Sequence, residues 1–239
     1  MVDEKIVAKL REQRGKRYIS DEDGELADWC MRSVFKGDWS GMFVKSDRSF
    51  KRMVELAKEI GFWPWLHAPL YPDHDYVPLM TLSDAFFLCR FIEMRGIRRV
   101  LELGCAGTGT SHLISWLFDI PVVAVDIEAK YEEDHRYLET VKPSKVEFIV
   151  ADVRKAYRTL IGEHKPDLVV IDFEHRYESS KEIAEHCLNN GIPFAVHDVN
   201  CEVEEALVAV HFLQICKSYF KSPSACGWFF CIPCKIKSS

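Results

Sequence analysis

The stretch VLELGCAGTGTS, residues 100–111, decides how this chain is read. Arg98–Leu103 (RRVLEL) reads as a short buried strand. Gly104, Gly107 and Gly109 follow with Ala106 among them, and an apolar helix is predicted over Ser111–Phe118. A strand, a glycine-rich turn and a helix make the first half of a βαβ unit, and its turn can approach a ligand with no Cβ in the way. Working outward, Pro121–Val125 (PVVAV) predicts a second strand ending at Asp126, and Val146–Val150 a third ending at Ala151-Asp152. Asp167–Ile171 (DLVVI) predicts a fourth ending at Asp172, and Ile192–Val196 a fifth ending at His197-Asp198. Helical segments lie between them, so the expected class is α/β with a parallel, Rossmann-like sheet. A helix over Glu202–Phe212 then precedes two strand-like runs, Gln214–Phe220 and Gly227–Lys235, predicted to close the sheet as an antiparallel hairpin.

The chain divides near residue 80. Glu25–Phe35 and Phe50–Ile60 carry helical spacing, and an aromatic, proline-rich stretch over 63–72 cannot be regular helix. We expect an N-terminal helical cap or lid over 1–80 and a ligand-binding domain over 81–239, with Leu82–Met94 as a core helix. Of 239 residues, 48% are hydrophobic, enough for a substantial core. The charge of −6, from 31 basic and 37 acidic residues, disfavours nucleic acid as a partner because no basic excess exists to displace counterions. No apolar run is long enough to span a bilayer, and the charged first residues lack a signal peptide's apolar segment, so a soluble, cytoplasmic protein is expected. Nine scattered cysteines, an odd count, argue against a secreted disulfide framework. Cys226, Cys231 and Cys234 invite a zinc or redox reading, but their stretch reads more simply as the last strand. Homo-oligomerisation is left open.

In an open α/β sheet, ligands bind outside the carboxyl ends of the strands. Those ends carry Glu102, Asp126, Asp152, Asp172 and Asp198. A carboxylate at Glu102 would repel a dinucleotide's pyrophosphate but welcome the ammonium and sulfonium of S-adenosylmethionine. Asp126 suits ribose hydroxyls, with Ile127 beside it, and Asp152 with Val153 suits the adenine end. Each acid also has a plain structural counterpart: Asp152 as cap of the helix starting near Val153, and Asp198 as cap of one starting near Cys201.

VLELGCAGTGTS, VVAVDIE, VADV and IDFEHRYES resemble the class I S-adenosylmethionine-dependent methyltransferases. The resemblance covers about residues 80–235. IDFEHRYES followed by AVHDVN is similar to the small-molecule O-methyltransferase branch that includes macrolide-sugar methyltransferases and cephalosporin-hydroxylase-like proteins. The chain departs from that pattern at Ala106, Phe173, Asn189-Asn190-Gly191 and His197. The resemblance implies a donor site built from Glu102, Gly104, Cys105, Ala106, Gly107, Gly109, Asp126, Ile127, Asp152, Val153 and Asp172. It further implies a divalent cation such as Mg2+ at Asp172, His197 and Asp198, with His175 as general base beside Asp172. An imidazole titrates near neutrality, which suits that role; Glu174 competes for it. His175 as a helix-start residue and His197 as a satisfied buried histidine are the structural counterparts. The expected reaction is O-methylation of a small hydroxylated acceptor. A metal-free N-methyltransferase and a non-catalytic nucleotide-binding module are the alternatives.

Overall fold

The computed structural model describes residues 48–60, 80, 82–200, 202–216, 218–222 and 226–233. Two helices, α1 (Arg48–Ile60) and α2 (Leu82–Arg95), precede the alternating region. Then come β1 (Val100–Leu103), α3 (Gly109–Phe118), β2 (Val122–Asp126), α4 (Tyr131–Val141), β3 (Val146–Val150), α5 (Val153–His164) and β4 (Leu168–Ile171). The chain continues through α6 (Tyr177–Asn189), β5 (Phe194–Val196), α7 (Val203–Ile215), β6 (Tyr219–Lys221) and β7 (Phe229–Cys231).

The seven strands form one sheet in the order β3-β2-β1-β4-β5-β7-β6. The first five are parallel, and β7 pairs antiparallel with both β5 and β6. The order reverses at β1, with β2 on one side and β4 on the other. A crevice opens there, at the carboxyl ends of the strands.

Strand alternation divides the core in two. Val100, Val122, Leu168 and Val170 face one side, packed with Met53, Leu56, Phe91, Leu113 and Ile114 from α1, α2 and α3. Leu101, Leu103, Val123, Val125, Val169 and Ile171 face the other, against Tyr157, Ile183, Val208 and Phe212 from α5, α6 and α7. Both faces of β1 and β4 are therefore buried, which is why β4 reads as an unbroken apolar run and β1 as one broken only by Glu102. Met53 and Leu56 tie α1 into the main core. The rest of the expected cap, including the helix over 25–35 and the segment 63–72, lies outside the described residues.

Several boundaries differ from expectation. β5 begins at Phe194 rather than Ile192, because Pro193 has no N–H for a ladder and contributes only its carbonyl, to Val169 N at 3.0 Å. The helix predicted over Glu202–Phe212 runs on to Ile215, so Gln214 and Ile215 are helical, and β6 contains only Tyr219–Lys221. A disulfide joins Cys216, just past α7, to Cys231 on β7; cysteine usage argued against a secreted disulfide framework and did not point to this pair. Cys89, Cys105 and Cys187 are buried free thiols, packing as small hydrophobes. Among the described residues, no helix is long and apolar enough to cross a membrane.

Candidate active site

The glycine-rich turn is tied to its surroundings at both ends. Gly104 adopts φ +86°, and a Cβ there would lie 2.1 Å from the carbonyl oxygen of Asp172. Only glycine lets the ends of β1 and β4 come so close. Asp172 N in turn donates to Leu103 O at 2.9 Å. Ala106 and Thr108 also sit in the left-handed region, at φ 43° and 57°. Asp126 holds this shape: its Oδ2 accepts from Ala106 N at 3.0 Å and its Oδ1 from Glu128 N at 3.0 Å. Each oxygen keeps a further lone pair for a ligand hydroxyl.

Glu102 lies beneath the turn, 2% exposed, and accepts a hydrogen bond from Ser111 Oγ. Burial pushes its carboxyl up to about 8, against the lowering effect of that bond. Burial, with Glu102 and Asp126 nearby, pushes the Cys105 thiol well above its ordinary range. Beyond Asp126, Ile127 is 59% exposed at the crevice mouth, whereas Val153 is buried in the core. Asp152 is the N-cap of α5: its Oδ1 accepts from Arg154 N at 3.1 Å, and Arg154 and Lys155 pair with it at 3.1 and 3.2 Å. The capping role proposed for it from sequence is therefore present.

Asp172 and Asp198, at the ends of β4 and β5, sit around two histidines. His197 is buried, with Nδ1 3.1 Å from Asp172 Oδ2 and 3.5 Å from Asp198 Oδ1. On its other side Nε2 lies 4.0 Å from Asp84 Oδ2, and its ring stacks on Trp228 at 4.2 Å between centroids. Burial opposes a charge on this ring, but Asp172, Asp84 and Asp198 outweigh it and hold its pKa well above the ordinary value. His175 stands opposite, with Nδ1 3.7 Å from Asp198 Oδ2. Ligand atoms of Asp172, His175 and Asp198 all lie within 4.8 Å of one another. The backbone is strained here: Glu174, His175 and Asp198 adopt φ 39°, 43° and 59°. Such conformations, costing on the order of 1–3 kcal/mol each, collect at functional sites. The cap of α7 is Glu202, not Asp198; Asp198 contributes its backbone carbonyl to Glu202 N at 2.8 Å.

No family model and no curated protein matches this sequence. Solved structures do. A Staphylococcus aureus protein described as a candidate caffeoyl-CoA O-methyltransferase superposes with a TM-score of 0.59 at 13% identity, covering 79% of this chain and all of that one. The Streptomyces achromogenes O-methyltransferase TomG, in complex with SAM, gives 0.56 at 15% identity over 82% of this chain and 94% of its own. A Podospora anserina methyltransferase bound to SAH gives 0.57 at 12% over 89% and 95%. The fold is that of the class I methyltransferases.

Within that fold, three residues near the acidic pair escaped the sequence reading. Asp84, from the first turn of α2, accepts from Gly227 N at 3.0 Å and faces His197. Trp228 supplies the ring beneath His197 and donates Nε1–H to Asp84 O at 3.0 Å. Glu205, in the first turn of α7, is 1% exposed; Ser180 Oγ donates to its Oε1 at 2.8 Å, and its Oε2 has no partner among the described residues. Burial, with Asp172 and Asp198 nearby, pushes the Glu205 carboxyl up to about 8. One signal was available for Glu205: an acid in the first turn of a helix that leaves a strand end already carrying Asp198.

Proposed function

We propose that this chain is an S-adenosylmethionine-dependent methyltransferase that methylates a hydroxyl of a small acceptor, assisted by a divalent cation. The observation that carries the reading is the convergence of Asp172, His175 and Asp198 at the mouth of the glycine-rich crevice. Donor and product complexes among the similar structures support the choice of methyl donor. Asp126 would take the ribose hydroxyls, and exposed Ile127 offers an apolar surface to the adenine. The turn residues Gly104 to Gly109, with Glu102 beneath them, would meet the amino-acid portion.

The Asp172–Asp198 pair would hold a cation such as Mg2+ through the oxygen ligands it prefers, while His197, expected from sequence to join them, bonds Asp172 instead and His175 keeps its lone pair for the acceptor proton. When bound, the donor supplies an electrophilic methyl carbon and the cation lowers the pKa of the acceptor hydroxyl. The chain's own work is positioning and proton handling. His197, carrying a proton, pins Asp172 by hydrogen bond and balances the acids around it. His175 accepts the hydroxyl proton as the O–C bond forms and the C–S bond breaks, and Asp198 steadies the imidazolium that results. Prepaid alignment of nucleophile and methyl supplies much of the rate, several kcal/mol in favourable cases.

The test is calorimetric titration with S-adenosylmethionine, then turnover on a panel of catechols, phenols and sugar hydroxyls with Mg2+ or chelator. Donor binding with metal-dependent turnover is expected. Donor binding with chelator-insensitive turnover would remove the metal, and retention of activity by Asp198→Asn would favour a nitrogen acceptor. Failure to bind the donor at all would overturn the reading.

A further inference from the structure

A second cluster of ligand-type side chains lies apart from the crevice mouth, between α3 and α4. It contains His112 from the first turn of α3, and His135 and Glu139 one helical turn apart on α4. Ligand atoms from all three lie within 4.8 Å of one another. The spacing of His135 and Glu139 puts both on one helix face, an arrangement that zinc sites use.

His112 makes the cluster more than a chance grouping. Its ring is fully buried, with Nδ1 2.9 Å from Thr108 O and Nε2 3.2 Å from Glu139 Oε1. Both neighbours are acceptors. A neutral imidazole has one N–H and one lone pair, so either tautomer leaves a lone pair facing an oxygen. If Nδ1 carries the proton for Thr108, the Nε2 lone pair confronts a carboxylate. A proton or a metal cation would resolve the opposition. His135 also buries its Nδ1, with no hydrogen-bond partner among the described residues. Ser144 orients Glu139 through both its N–H and its hydroxyl, and the Thr108 carbonyl orients His112. Outer groups that fix ligand orientation in this way are a regular companion of metal sites.

We propose that His112, His135 and Glu139 bind a divalent transition cation, zinc foremost, that clamps α3 to α4. Two imidazoles and one carboxylate suit zinc over magnesium or calcium, and a water completes four-fold coordination. Thr108 belongs to the glycine-rich turn and is the N-cap of α3 without a side-chain cap of its own. The cation therefore holds the helix that carries the turn. This inference is independent of the methyltransferase reading.

The test loads full-length, metal-stripped protein with Zn2+ and follows metal content, thermal midpoint and X-ray absorption. One tightly held zinc, a midpoint raised by several degrees and a sulfur-free nitrogen and oxygen shell are expected. Asp198→Asn should keep this response, which separates it from the Asp172 cluster. His135→Gln and Glu139→Gln should each weaken zinc affinity at least tenfold. If the wild type holds no stoichiometric zinc, or both variants respond as the wild type does, or the absorption spectrum reports sulfur ligands, the proposal is wrong. The spectrum on unsubstituted protein decides even if a variant fails to fold.

Discussion

Replacing Gly104 with alanine should damage stability and donor binding together. The added Cβ would lie 2.1 Å from Asp172 O and 2.6 Å from Phe173 Cβ, and distances under 3.0 Å are essentially never seen for real Cβ atoms. The obstructing atom is backbone at the end of β4, which cannot swing away. Strain of this kind costs about 1–3 kcal/mol, and the left-handed conformation at φ +86° adds roughly 1–2 kcal/mol for any residue with a Cβ. The sum is about 2–5 kcal/mol, a large share of the 5–15 kcal/mol that ordinarily separates folded from unfolded chains. Gly191 supplies an internal control. Its φ is +69°, yet a Cβ there meets nothing within 4 Å. Gly191→Ala should therefore cost only the conformational part, about 1–2 kcal/mol. Denaturant unfolding of both variants measures the difference. Because the obstruction falls on Asp172, donor affinity in Gly104→Ala should also fall at least tenfold, while Gly191→Ala binds as the wild type. If the two variants unfold within about 0.5 kcal/mol of each other, the close packing of β1 on β4 is not what constrains Gly104.

Other outcomes can be stated briefly. Asp172→Asn and Asp198→Asn should each lower kcat at least a hundredfold under saturating donor, with donor affinity changing more for Asp172 than for Asp198, in isothermal titration and steady-state kinetics. Stability should fall as pH rises from about 6.5 to 8. The folded chain keeps protons on Glu102 and Glu205, whose carboxyls are pushed up to about 8, while the unfolded chain has released them above the ordinary 4.5. Each contributes a slope of at most about 1.4 kcal/mol per pH unit, so Glu102→Gln should flatten the profile of denaturation midpoint against pH; an unchanged slope would refute it. Cutting the Cys216–Cys231 link, which closes a sequence separation of 15, should cost about 3 kcal/mol by loop entropy. Equal unfolding midpoints with and without reductant, in protein whose thiol count shows the pair oxidised, would contradict that.

The alternating region was legible because the physics there is local. Strands buried on both faces must be largely apolar, and VVAV and LVVI meet that condition throughout, VLEL at every position but Glu102. Legibility weakened where the neighbour decides. Gln214 and Ile215 have strand-like composition, but α7 carries them as its last turn before Cys216 is linked to β7. At the site, Asp172, His197 and Asp198 could be named from strand ends, and His175 from the resemblance carried by IDFEHRYES. Asp84 and Trp228 could not, since they reach His197 from α2 and from the chain end, 113 and 31 positions away. Glu205 was hidden by a different cause: a glutamate in a helix's first turn is ordinarily a surface residue facing the dipole, and only packing of α7 on α6 buries it against Ser180.

The strand-end acids do not act alike, and this changes the reason for preferring a cationic donor. Glu102 was to exclude a pyrophosphate by its charge, but it is buried, bonded to Ser111 and pushed up to about 8, so near neutrality it is mostly uncharged. The exclusion rests instead on the turn's own N–H groups. A phosphate cradle needs backbone donors aimed outward. Here Gly104 N donates to Val125 O at 2.8 Å, Ala106 N to Asp126 Oδ2 at 3.0 Å, and Thr108 N to Cys105 O at 2.9 Å. An anion that drew on these three donors would have to break their bonds and approach the Asp126 carboxylate as well. A sulfonium with an ammonium breaks none of them and gains from the same carboxylate. Millimolar NAD should thus give no heat under conditions where S-adenosylmethionine does. Asp126→Asn, by removing the charge while keeping an acceptor for Ala106 N, should narrow that preference from the S-adenosylmethionine side. Uptake of NAD by the unaltered chain would show that the turn opens, and the argument from its closed hydrogen bonds would fail.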